Sequence, residues 1–87
     1  MLRISTSTRP DNTLLIALEG SLTGPWIDEV RRTVREALQG GRTVTLDLEN
    51  LWFLDLEAVA LLRGFSREQV ISVNGSAFVV QQLENEG

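Results

Sequence analysis

The chain of 87 residues contains no cysteine, no histidine, no tyrosine and no lysine. Each absence closes off some chemistry. Without cysteine there is no disulfide and no thiol nucleophile, which fits a reducing compartment. Without histidine there is no imidazole acid–base group, and with both missing nearly every structural zinc site is excluded. Without lysine a P-loop cannot be built, and no glycine-rich phosphate loop is present either. Positive charge is also scarce. Eight arginines stand against twelve acids, a net charge of −4, whereas nucleic-acid binding needs a basic surface to neutralise phosphates. No apolar run approaches the ~20 residues of a membrane span. The opening "MLRISTSTRPD" is polar and alternating, unlike a signal peptide or an anchor. These absences lead us to expect a cytoplasmic protein with no cofactor, no bound metal, no nucleic-acid partner and no membrane insertion.

What is present is an ordinary globular composition, 43% hydrophobic and 23% charged, sized for a single domain over residues 1–87. Leu2, Ile4 and Thr6 alternate with Arg3, Ser5 and Ser7, the period of a half-exposed strand. "RPDNT" (Arg9 to Thr13) supplies a turn, and "LLIALEG" a deeper strand, so the two read as a hairpin. "TGPWIDEVRRTVREALQGG" is the clearest helix. Thr23 or Gly24 should cap it, Pro25 suits its first turn, and Trp26, Ile27, Val30, Val34, Ala37 and Leu38 form its apolar stripe. Gly40 and Gly41 end it. "RTVTLDL" returns to strand, and "ENLWFL" reads as an apolar connection. "EAVALLRGFSREQ" is a second helix with Ala58, Leu61, Leu62 and Phe65 on one face. "VISV" is a short strand, and Asn74 and Gly75 turn it. Ser76 caps a last helix, which Glu84 and Glu86 should fray because they oppose its dipole. The order β-β-α-β-α-β-α implies a small α/β sandwich, a mixed sheet packed by helices, with parallel strands across each crossover.

The stretch "VTLDLENLWFLDLEAVALLRGF" resembles the core of the STAS family, found in bacterial anti-sigma-factor antagonists and at the ends of sulfate transporters. There a strand of the form v-l-D-L-s-x-v-x-f-i runs into D-S-S-G and then L-x-x-L. Here Val44–Leu48, then Phe53–Leu54–Asp55, then the apolar helix follow that order. "LEGSLTGPWIDEVRRTVREAL" is similar to the family's preceding strand and helix. The resemblance covers roughly Leu14 to Val73. It implies a non-catalytic, protein-binding signalling module involved in transcription regulation, whose partner is an anti-sigma-factor kinase or a related regulator. Two other roles occur among STAS proteins: a subunit of a phospholipid-transport ABC system, and nucleotide binding. The family's phosphoacceptor serine or threonine directly follows the aspartate. That position is Leu56 here, with Glu57 and Ala58 replacing the rest of the motif, so the phospho-switch is expected to be lost. Family members also commonly continue beyond the position of Gly87. A homodimer or a bound partner is therefore expected to cover a sheet edge left open.

These residues also have plainer readings. Asp55 sits where an N-cap carboxylate would accept from the amides of Glu57 and Ala58. Glu57 is an acid favoured in a first helical turn, or a standing charge where relatives acquire phosphate. Asp47, Asp55 and Glu57 form a poor catalytic set, since Leu48 to Leu54 separate the first two and no histidine assists. Trp26 and Trp52 should emerge with Leu56 at the carboxyl edge of the sheet, where open α/β sheets bind ligands and partners. Trp26 can equally be core. The partner-binding surface expected from the sequence comprises Trp52, Asp55, Leu56, Glu57, Val59 and Arg63.

Overall fold

Strand β1 (Leu2–Thr8) and strand β2 (Thr13–Leu22) form an antiparallel hairpin in the computed structural model, which describes residues 1–84. Asp11 tightens its turn, because its Oδ1 accepts from the Thr13 amide at 3.0 Å. Hydrogen bonds from the Thr13 side chain and backbone hold the Asp11 carboxyl below its usual range. Asn12 takes the left-handed conformation at φ 70°, which asparagine tolerates in turns.

Helix α1 (Gly24–Gln39) follows, and then strand β3 (Thr43–Asp47) returns parallel to β2. The stretch read from sequence as an apolar connection contains a strand of its own, β4 (Leu51–Leu54), parallel to the end of β2. The Gly20 amide donates to Asn50 and the Ser21 amide to Met1. Successive amides of a strand point to opposite sides, so β4 lies on the β3 side of β2, across from β1. It takes over from β3 after the turn at Leu48–Asn50. Periodicity alone could not separate this short apolar run from a loop. Helix α2 (Leu56–Arg67), strand β5 (Ile71–Val73) and helix α3 (Ala77–Glu84) complete the chain, with β5 parallel to β3. The result is a mixed sheet of five strands and three helices. Glu86 lies outside the described residues.

The core follows from strand parity. The register pairs Ile4 with Leu18, Ile16 with Leu46 and Leu22 with Leu54. All therefore share one face of the sheet with Leu2, Leu14 and Val44. The helices cover that face with Ile27, Val30, Val34 and Ala37 from α1, Ala58, Leu61, Leu62 and Phe65 from α2, and Val79 from α3. Trp26 and Leu38 flank the α1 stripe and pack partly buried against the cluster. The opposite face carries Arg3, Ser5, Ser7 and Glu19.

One glycine is obligatory. Gly20 has φ 102°, and a Cβ there would sit 2.4 Å from the Met1 carbonyl oxygen. Only glycine combines that backbone with so close an approach. It stands where the β2–β4 pairing shifts register.

Candidate functional site

The parallel strands β2 and β4 end side by side, with Leu22 opposite Leu54 and the Asp55 amide donating to the Leu22 carbonyl at 3.2 Å. Each strand then runs straight into a helix, so the N-termini of α1 and α2 open at one edge of the sheet. Asp55 is the N-cap of α2, in extended conformation. Its Oδ1 accepts from the Ala58 amide at 2.8 Å. Its Oδ2 accepts from the Gly24 amide, also at 2.8 Å. The sequence suggested Glu57 and Ala58 as the donors. The second donor is instead the first amide of α1, because Oδ2 faces the neighbouring helix mouth. Thr23, the N-cap of α1, correspondingly makes no side-chain cap bond. One carboxylate serves two helix ends. The Glu57 carboxylate lies over the same spot, since a Cβ on Gly24 would meet its Oε1 at 3.4 Å. Both acids therefore lie where two helix dipoles favour negative charge.

Leu56 is 87% exposed. Trp52 is 74% exposed but lies elsewhere. It is the second residue of β4 and lines a groove of about 810 Å³ with Met1, Gly20, Leu51 and Phe78, to which Leu56 does not contribute. Trp52 and Leu56 thus belong to two separate patches. The cause is the register shift beside Gly20, which displaces Trp52 from the ordinary strand alternation. Trp26 is half-buried against the core.

Two members of the expected surface are placed otherwise. Val59 is only 8% exposed and packs in the core, because it stands beside Ala58 and Leu62 on the inner half of the helix. Arg63 reaches α3, where its Nε donates to the Leu83 carbonyl at 2.9 Å and its Nη2 to the Gln82 carbonyl at 3.3 Å. These carbonyls belong to the last described turn of α3, so Arg63 ties that turn to α2.

Sequence reading missed Gly24 as the second partner of Asp55, and nothing local signals a contact thirty-one residues away. It also missed Phe78, 44% exposed beside Trp52. There a signal existed, since Val79 and Leu83 form the inward pair of α3 and leave Phe78 off their stripe. From the helix mouth a shallow groove of about 340 Å³ runs between α1 and α2, lined by Ile27, Arg31, Arg35, Glu57, Ala60 and Gly64 among others.

Chemically the mouth offers little to a reaction. Both Asp55 oxygens accept backbone amides, and residue 56 has no hydroxyl. Asp47 Oδ1 accepts from the Glu49 amide at 3.0 Å and from the Asn74 side chain at 3.3 Å. What the mouth presents is an apolar side chain next to a fixed acid. No described helix is long and apolar enough to cross a membrane.

A family model described as "Mlab, STAS domain" matches residues 5–83. Among solved structures, the anti-sigma factor antagonist SpoIIAA in its unphosphorylated form is similar at 25% identity. That match has a TM-score of 0.75 and covers 91% of this chain and 79% of the other. The phosphorylated form of SpoIIAA, a Bacillus cell fate determinant, gives 24% identity and a TM-score of 0.73, over 95% and 84% of the two chains. The STAS domain of an antisigma-factor antagonist from Rhodobacter sphaeroides shares the fold at 20% identity and a TM-score of 0.63, over 84% and 86%. No curated protein matches the sequence. With the family model spanning nearly all of the described chain and the SpoIIAA fold matched over 91% of it, the chain belongs to the STAS domain family.

Proposed function

We propose that this chain is a non-catalytic STAS interaction module that engages a protein partner through the N-terminal mouth of α2, without phospho-control. One observation carries the reading: Leu56 is 87% exposed directly after the Asp55 cap, the position at which regulated STAS proteins carry a phosphoacceptor. An apolar side chain so exposed at the first turn of a helix contributes nothing to the core and is available for burial against a partner. The neighbouring groove between α1 and α2 extends the contact, with Glu57, Arg31 and Arg35 on its walls. A partner of the anti-sigma-factor kinase kind accords with the likeness to SpoIIAA.

The test has two arms. Wild-type protein, incubated with such a kinase and labelled ATP, remains unlabelled over residues 56–58, whereas Leu56→Ser acquires label. Titration calorimetry with the same kinase detects binding by the wild type that weakens on Leu56→Asp. Label on the wild-type segment, or binding indifferent to Leu56→Asp, ends the reading.

A second reading, a STAS subunit of a phospholipid-transport ABC system, is favoured by the Mlab description of the family model. It uses the same exposed mouth, with an ABC ATPase in place of a kinase. Calorimetry against a purified ATPase of that kind separates the two partners.

A further inference from the structure

Strand β1 lies at one edge of the sheet and, among the described residues, pairs only with β2. The phase of that pairing decides which backbone groups are left over. The Ser21 amide donates to the Met1 carbonyl at 3.0 Å, and the Arg9 amide to the Thr13 carbonyl at 2.8 Å. At both ends of the ladder, then, the odd-numbered residue of the first strand bonds to β2. Bonded and non-bonded pairs alternate in an antiparallel ladder. Leu2, Ile4, Thr6 and Thr8 therefore turn their N–H and C=O groups away from β2, towards the open side.

Natural edge strands are usually blunted by proline, lysine, a bulge or shortness. β1 has none of these. It is seven residues long and unbroken in register, and Arg3 is its one charged residue. The opposite edge, β5, is only three residues long.

We propose that β1 pairs antiparallel with β1 of a second copy about a twofold axis through Ser5, giving one continuous sheet. In this register every residue from Leu2 to Thr8 has a counterpart, and each outward-facing residue meets another: Leu2 with Thr8, and Ile4 with Thr6. Within the strand Arg3, its one charged residue, falls opposite Ser7 and does not meet its own copy. Ile4, partly buried at the margin of the core, gains a β-branched cross-strand neighbour on the covered face. A twofold axis requires such self-matching of one surface, and strand addition takes most of its affinity from main-chain bonds. The surface is separate from the mouth of α2, so it leaves that site free.

The absence of native cysteine permits a register-specific test. Ser5 is exposed and faces its own copy in a non-bonded pair, where Cα atoms are about 4.5 Å apart, inside the span a disulfide accepts. Ser5→Cys should oxidise quickly to a covalent dimer, while Ser7→Cys, opposite Arg3, should not. Sedimentation equilibrium should give wild-type protein twice the 9.7 kDa chain mass. Thr6→Pro removes an outward-pointing N–H that β2 does not use, and proline is tolerated at such edge positions. That variant should be monomeric with an unchanged circular dichroism spectrum. Ser5→Lys, which sets two ammonium groups face to face, should be monomeric by a route that spares the backbone. A wild-type chain that sediments as a monomer overturns the proposal. So does a dimer that survives Ser5→Lys, or Ser7→Cys bridging as readily as Ser5→Cys.

Discussion

The side chain of Asp55 holds the first amide of α1 at Gly24 with one oxygen while its other oxygen caps α2 at Ala58, each at 2.8 Å. Two helices that follow parallel strands are thereby tied at their N-termini by one carboxylate. The mouth of the candidate site is thus pre-formed, and Leu56 and Glu57 project from a rigid base.

Removing that tie should cost more than an ordinary cap. Asp55→Ala loses both bonds and should lower stability by about 2 kcal/mol, the upper end for a lost N-cap. Asp55→Asn keeps one acceptor oxygen and loses the other, so it should fall about midway. Urea denaturation midpoints check the order, and equal midpoints for Asn and Ala variants would refute the double role.

Leu56→Ser and Trp52→Ser should each leave stability within about 0.5 kcal/mol, as surface changes do. Their effects on binding should differ, because they occupy separate patches. Leu56→Ser weakens a partner at the mouth of α2, and Trp52→Ser does not. Calorimetry with each variant decides this, and equal losses would merge the patches into one interface.

Gly64 sits within α2, and a Cβ added there meets nothing within 4 Å. Gly64→Ala should therefore stabilise the domain by about 0.5–1 kcal/mol through helix propensity. The new methyl also enters the groove between α1 and α2. A variant that melts later yet binds its partner less tightly is the expected outcome.

Arg63→Ala should release the Gln82 and Leu83 carbonyls of α3 from α2. Hydrogen exchange of α3 amides should speed up, while amides of α1 and β2 stay protected until global unfolding. Unchanged exchange in α3 would show that the bonds to Gln82 and Leu83 do not hold that helix. Val59→Ala, by contrast, should act through the core, costing about 1–3 kcal/mol of global stability.

Gly20→Ala forces a left-handed backbone on a residue with a Cβ and drives that atom into the Met1 carbonyl. The expected loss is about 2 kcal/mol or more, read from the thermal midpoint. A neutral substitution would mean that the first strand does not close on β2 at Met1.

Local signals in the chain were enough for every element but β4, and for the family. The stripe Ile27, Val30, Val34 and Ala37, the alternation of β1 and the cap at Asp55 each depend on neighbours within one or two turns. Spacing alone reveals them. The order of those elements, with the "LDLE" stretch at the head of α2, was sufficient to suggest a STAS domain. Other features arose only when distant segments met. Gly24 became a partner of Asp55 because parallel pairing brought Leu22 beside Leu54. Trp52 was set apart from Leu56 because the chain shifts register beside Gly20, and β4 became a strand because β2 offered it an edge. Arg63 looked like a surface charge until α3 folded back and brought the Gln82 and Leu83 carbonyls within reach. Periodicity records which way a side chain points along its own element. What that side chain meets is decided by packing between elements, and no local pattern encodes it.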